Sequence, residues 1–168
     1  NDDVNMSQSS NDTFVTAMHI AAYQLTTRLT LPALRRLQAA LADKAELWMP
    51  VVKVGRTHLQ DATPLTVGQE WSGYAAALAD AIEFVEFATD GLLPLAMGGT
   101  AVGTGLNAPA GFDVEVAAVI AELTGDPYKT AANKFAAQAT LDRVVRAHAA
   151  LKATAVTLFK IANDMQWL

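Results

Sequence analysis

Apolar residues recur along this chain at helical rather than strand spacing, in long blocks separated by polar or glycine-rich stretches. A polar opening from Asn1 to Asp12 leads into the row Phe14, Met18, Ala21, Leu25 and Leu29, a spacing that places all five on one face of a helix. Ser10, Asn11 or Asp12 is the expected N-cap, because a short side-chain oxygen there accepts from an unpaired N–H of the first turn. The pattern continues past Pro32 with a kink, or restarts there with Thr30 as cap. It then runs through Leu34, Leu37, Leu41 and Trp48 to Met49, where Pro50 ends it.

A second long helix is predicted after Thr63-Pro64, a cap followed by proline at the first helical position; Thr66 with Gln69 fits a capping box if the start slips by a turn. Val67, Trp71, Tyr74, Leu78, Ile82 and Val85 keep one stripe, and a helix over Pro64 to Asp90 would be about 40 Å long at 1.5 Å per residue. Long helices with a single apolar stripe predict an all-α long-helix bundle. The uncharged run from Gly91 to Phe112 is long enough for a membrane span, but Pro94, Gly98, Gly99, Gly103, Gly105, Pro109 and Gly111 punctuate it, so it reads as a loop. Within it, Gly98 to Asn107 has neither the preceding strand nor the lysine of a phosphate-binding loop and reads as a tight backbone passage. A short helix is predicted from Asp113 to about Leu123, closed by Gly125-Asp126-Pro127, and a final one from about Asn133 onward. There Val144, Leu151, Leu158 and Met165 are spaced seven apart, as are Leu141, His148, Ala155 and Ala162, which predicts a heptad seam with one small-residue row. His148 on that seam reads as a core or interface side chain, and His19 inside the first helix as a packed or hydrogen-bonded one.

Composition narrows the function. At 168 residues one domain over 1–168 is the default. Hydrophobic residues make up 52% and charged ones 17%, against roughly 25% charged in an average soluble protein, which predicts burial against other chains. A net charge of −5 disfavours nucleic-acid or anionic-membrane partners. Without cysteine there are no disulfides or thiolate metal sites, and His19, His58 and His148 show no metal-ligand spacing, so no metal or cofactor is expected and a cytoplasmic location is. The chain opens on Asn-Asp-Asp without Met or a basic-then-apolar leader, and closes without helix-ending Gly or Pro; both ends are expected to be cut.

Two stretches carry candidate chemistry. Lys53 to Pro64 puts His58 in a polar turn between two helical patterns, where imidazole suits acid/base work. Ser9, Ser10 and Asn11 precede a helix, where hydroxyl and amide groups beside free N–H groups form a cradle for a carboxylate.

Three separated blocks then resemble one family in the same order: Asn1 to Phe14 with its Ser-Ser-Asn, Gly55-Arg56-Thr57-His58-Leu59-Gln60-Asp61-Ala62-Thr63-Pro64, and Leu95 to Asn107 with its Gly-Gly-Thr-Ala-Val-Gly-Thr-Gly. They resemble the class II fumarases of the fumarase/aspartase superfamily. The resemblance implies the central part of a bundle of about five helices, truncated at both ends relative to the family, in a homotetramer with composite active sites. The implied reaction is reversible hydration of fumarate to L-malate. His58 would be the acid/base residue, Ser9, Ser10, Asn11 and Thr57 would bind substrate, and Asn1 and Asp2 match part of a second anion site whose His-Pro is absent here. The family's Gly-Ser-Ser loop with its catalytic serine, and the Lys and Asn that follow it, do not occur among these residues. Asn133-Lys134-Phe135 is also similar, but Ala136 stands where the family commonly has Glu, so no role follows. Aspartase or another lyase of the superfamily is the alternative within enzymes, although aspartases generally carry Gln where this chain has His58. Outside enzymes the alternative is a non-catalytic helical assembly unit.

Overall fold

The computed structural model describes residues 2–167, in two compact units: residues 2–27 with 87–149, and 28–86 with 150–167. In chain order the elements are α1 (Asp2–Asn5), α2 (Ser10–Leu25), a π-helical segment (Thr26–Thr30), α3 (Leu31–Leu47), β1 (Val52–Thr57), β2 (Gln60–Thr66), α4 (Val67–Asp90), β3 (Pro94–Leu95), α5 (Phe112–Thr124), β4 (Lys129–Thr130), α6 (Lys134–Ala139) and α7 (Asp142–Trp167). Helices hold most of the described residues and the fold class is all-α, with five helices of 13 residues or more. Among the described residues no helix is long and apolar enough to cross a membrane.

In the first unit, α2 buries a face that apolar spacing does not indicate. Phe14 and Leu25 are exposed, whereas Asp12, Val15, Thr16, His19 and Tyr23 are buried; of the predicted row, Leu29 lies beyond α2 in the π-helical segment and is exposed. Asp12 and His19 go inside because backbone partners meet them there: Asp12 accepts from the N–H groups of Gly98 and Thr100, and the His19 ring lies against the carbonyls of Leu92 and Pro94, and a buried polar group is tolerated when it is hydrogen-bonded. Tyr23 packs edge-on against Tyr128 at 5.4 Å between ring centroids, in a core with Leu92, Leu95 and Ala147. The expected loop after Gly91 does contain a short strand, β3, which pairs in parallel with β4. α5 ends as predicted on Gly125, in the left-handed region at φ 74°. The final helix is interrupted: Asn133 caps α6, accepting from the Ala136 N–H at 2.9 Å, but Thr140 is extended and α7 begins at Asp142. β-branched Thr140 and the acidic Asp142, a residue suited to a first turn, favour a stop and a restart there.

The second unit holds the predicted stripe. Tyr74, Leu78, Ile82 and Val85 of α4 are buried with Leu31, Leu34 and Leu41 of α3 and Ile161 of α7, and Leu151, Leu158 and Met165 are half-buried against them. In this unit Thr154 and Ile161 are the buried residues of α7; the expected row Leu141, His148, Ala155 and Ala162 is exposed. Pro32 sits in the first turn of α3, directly after the π-helical segment. Proline brings no N–H and crowds the carbonyl four residues earlier, and a widened turn accommodates both. The buried Tyr74 hydroxyl donates to Asp164 at 3.1 Å, and burial, with Glu70 and Asp164 nearby, pushes its phenol above the ordinary range. Pro64 does not start α4. It lies in β2, paired with Val54, and the helix starts at Val67 with the Thr66–Gln69 box in place: Gln69 N–H donates to Thr66 Oγ1 at 3.0 Å and Thr66 N–H to Gln69 Oε1 at 2.9 Å.

Candidate active site

The first group of candidate residues lies at the start of α2. Ser9, not Ser10, Asn11 or Asp12, is the N-cap: its hydroxyl accepts from the Asn11 N–H at 3.2 Å, and its own N–H donates to Asp12 Oδ1 at 2.9 Å, closing a capping box. Ser10 and Asn11 are exposed and Ser9 is half-buried. Ser9 lines a cleft of about 820 Å³ whose other wall is Thr100, Ala101 and Leu106–Pro109. Asn11 Nδ2 donates to the Ala101 carbonyl at 2.8 Å, which uses one of its two amide hydrogens and leaves the other, and Oδ1, for a ligand. The Ser10 hydroxyl and the helix-start N–H groups add donors and positive potential where a carboxylate would sit.

The glycine-rich stretch forms the opposite wall because its backbone turns where side chains cannot follow. Gly98 has φ 90°, and a Cβ there would collide with Asp113. Thr100 also takes a positive φ, 57°, in a region an L-residue enters only when held. Asp12 Oδ2 does the holding, accepting from Gly98 N–H at 3.2 Å and Thr100 N–H at 2.8 Å, while Gln138 Nε2 donates to the Thr100 carbonyl at 2.8 Å. Beneath Gly98, the hydroxyl of Thr130 and then Lys134 hold the Asp113 carboxyl below the usual carboxylate range. The sequence offers Asp12 only as an N-cap, gives Lys134 no role and does not mark Gln138. Asp12 had a detectable signal, a carboxylate three residues after Ser9; the contacts of Gln138 and Lys134 are long-range and had none.

The second group belongs to the other unit. Residues 52–66 form an antiparallel hairpin whose two-residue turn is His58-Leu59. Both turn residues have positive φ, 49° and 61°, as a type I′ turn requires, at positions usually given to Asn and Gly. A bulge at Gly55 interrupts the pairing, and a Cβ at Gly55 would lie 2.5 Å from the Thr63 carbonyl oxygen. Thr57 and His58 are exposed at the tip, and Arg56 Nε lies 3.2 Å from Asp61 Oδ1 across the turn. The structure thus groups Ser9, Ser10 and Asn11, and separately Thr57 and His58. Asp2 is exposed on the short helix α1; Asn1 lies outside the described residues. His19 is buried and hydrogen-bonded, and His148 is exposed. No group of three His, Asp or Glu among the described residues is placed to hold a metal ion.

The sequence profile of the lyase family matches residues 1–168, and this all-α chain belongs to that family. Along its full length it is similar to class II fumarate hydratases. It is 61% identical to the one from Methanosarcina acetivorans over 168 residues, which is 100% of this chain and 35% of that protein. The Pasteurella multocida protein is 59% identical over the same 168 residues, 36% of its length. The crystal structure of recombinant class II fumarase from Schistosoma mansoni superposes with a TM-score of 0.93 at 40% identity, covering 96% of this chain and 37% of that one. The chain thus spans about a third of the length of the curated relatives it matches.

Proposed function

We propose that these residues supply part of the active site of a fumarate hydratase, which adds water reversibly to fumarate to give L-malate. The observation that carries this reading is the similarity to class II fumarate hydratases along all 168 residues. The geometry fits the chemistry. Removing a proton next to a carboxylate requires a positioned base and donors for the charge that develops on that carboxylate. Ser9, Ser10, Asn11 and Thr57 offer hydroxyl and amide donors, and His58 offers an imidazole as acid/base group toward the substrate and the reacting water, the proton-removing serine of the family being absent from these residues; its turn is strained at two adjacent residues, a form of strain that concentrates at functional positions. Asn1 and Asp2 contribute to a second anion site. The whole protein is a cytoplasmic homotetramer with sites built from several chains, and the exposed apolar row Phe14, Leu25 and Leu29 supports burial against further copies.

The test uses a full-length lyase carrying these residues. His58→Asn lowers turnover of fumarate by about a hundredfold or more, the scale for loss of a positioned acid/base group, with the circular dichroism spectrum unchanged. Near-normal turnover in that variant removes His58 from the chemistry. Ammonia release from aspartate without fumarate hydration makes the protein a different lyase of the superfamily.

A further inference from the structure

Asp12 is fully buried, and its two carboxylate oxygens bond to the two chain segments that border the cleft. Oδ1 accepts from the N–H of Ser9 on the α2 side, while Oδ2 accepts from the N–H groups of Gly98 and Thr100 on the glycine-rich side. Three N–H donors on one carboxylate make charge-assisted bonds, stronger than neutral ones. They hold a turn in which Gly98 and Thr100 both adopt positive φ. Two further side chains brace the same wall, Asn11 at the Ala101 carbonyl and Gln138 at the Thr100 carbonyl, each at 2.8 Å. All these donors and acceptors on the turn are backbone atoms, so its position relative to Ser9 is set by the side chains of Asp12, Asn11 and Gln138.

We propose that Asp12 is a positioning residue that fixes the spacing between Ser9 and the Thr100–Pro109 wall, and thereby the length of dicarboxylate the cleft accepts. It does not touch the ligand. This rests on the reading that Ser9, Ser10 and Asn11 receive a carboxylate. Asp12→Asn is the direct probe, because an amide has an acceptor on one side only. Whichever way it turns, its NH2 group opposes either the Ser9 N–H or the pair from Gly98 and Thr100. One of the two segments is then released.

The readout is ligand-length selectivity in the full-length lyase, measured as the inhibition constants of succinate and glutarate against fumarate hydration. A role confined to stability would leave their ratio unmoved. In folded Asp12→Asn, the succinate constant rises at least tenfold while the glutarate constant changes less than threefold. Gln138→Leu keeps Asp12 and releases only the Thr100 carbonyl, and it moves the ratio in the same direction by at least threefold. That variant decides the matter if Asp12→Asn does not fold. An unchanged ratio in folded Asp12→Asn, or in Gln138→Leu when the first variant is lost, overturns the proposal. Ser10→Ala separates the two levels: if it alters neither the fumarate KM nor the succinate constant, the carboxylate reading is wrong and the proposal falls with it. If it weakens both while the Asp12 and Gln138 variants keep the ratio, only the positioning role is wrong.

Discussion

The Nδ1 nitrogen of His19 donates to the carbonyl oxygen of Leu92 at 3.0 Å and shares the same hydrogen with Pro94 at 3.1 Å. Both partners are acceptors, so the proton sits on Nδ1 and the neutral ring is fixed in one tautomer. Sequence spacing marked His19 as packed or hydrogen-bonded, and it is both.

That arrangement makes stability depend on pH. Burial lowers the His19 pKa below its ordinary 6.5, outweighing the two backbone hydrogen bonds, and Arg143 adds to the lowering. As pH falls, the unfolded chain takes up this proton first. The contribution from neutral His19 is therefore full above 6.5 and is lost as pH drops through 6.5 toward the folded-state pKa. Melting temperature should fall from pH 7.5 to pH 5, and His19→Asn, whose amide can still donate but does not titrate, should flatten that slope. Identical slopes for the two proteins would show that another group governs the acid limb.

Leu59 should be improved by losing its side chain. It is 88% exposed, so there is little packing to lose, and its φ of 61° disfavours a branched residue. A left-handed residue costs about 1–2 kcal/mol with a Cβ, partly offset by the greater flexibility of glycine when unfolded. Leu59→Gly should raise stability by roughly 0.5–1 kcal/mol. Thermal denaturation reads this directly, and a lowered melting temperature would mean that the Leu59 side chain contributes contacts the turn needs.

What the sequence made legible follows the physics of each element. The stripe of α4 was readable because Tyr74, Leu78, Ile82 and Val85 are both apolar and buried. On α2 the same rule selects Phe14 and Leu25, which face outward, because the inward face includes Asp12, Thr16, His19 and Tyr23, polar groups whose backbone partners lie 73 to 88 residues away in the cases of His19 and Asp12. No local pattern contains that information. The hairpin was read only as a turn, since Pro64 imitates a helix start while pairing with Val54. Ser9, Ser10 and Asn11 stand out as a group in the sequence, whereas their anchoring through Asp12 depends on Gly98 and Thr100 far along the chain.

Exposed phenylalanines give a cleaner test of association than the seam of α7. Leu151 is half-buried against its own unit's core, so Leu151→Asp would damage the fold before it reported on partners. Phe159 and Phe84 are 69% and 67% exposed, and burying a phenylalanine is worth roughly 1.5–3 kcal/mol. Phe159→Asp or Phe84→Asp should leave the helical spectrum intact and shift the sedimenting species to smaller mass, with association at least about tenfold weaker. An unchanged mass distribution for both variants would move the interface to another face, with Phe14, Leu25 and Leu29 the next to change.

The 168-residue chain by itself should turn over fumarate at less than about 1% of the rate of a full-length class II enzyme, because groups that act in one transition state are strongly non-additive. The donors at Ser9, Ser10, Asn11 and Thr57 are present and free to attract a dicarboxylate. The Gly-Ser-Ser loop to which the family resemblance assigns the catalytic serine is not among these residues, so His58 alone would face the substrate without the group that removes its proton. Adding the segment that follows in a relative as a separate chain should restore measurable activity if the sites are composite, since neither piece then needs to be covalently joined. The loss of fumarate absorbance is followed with the 168-residue chain alone, with the supplement alone and with both. Turnover by the purified chain alone at the full-length rate would place the proton-abstracting base within these residues and return the roles of His58 and its neighbours to the beginning.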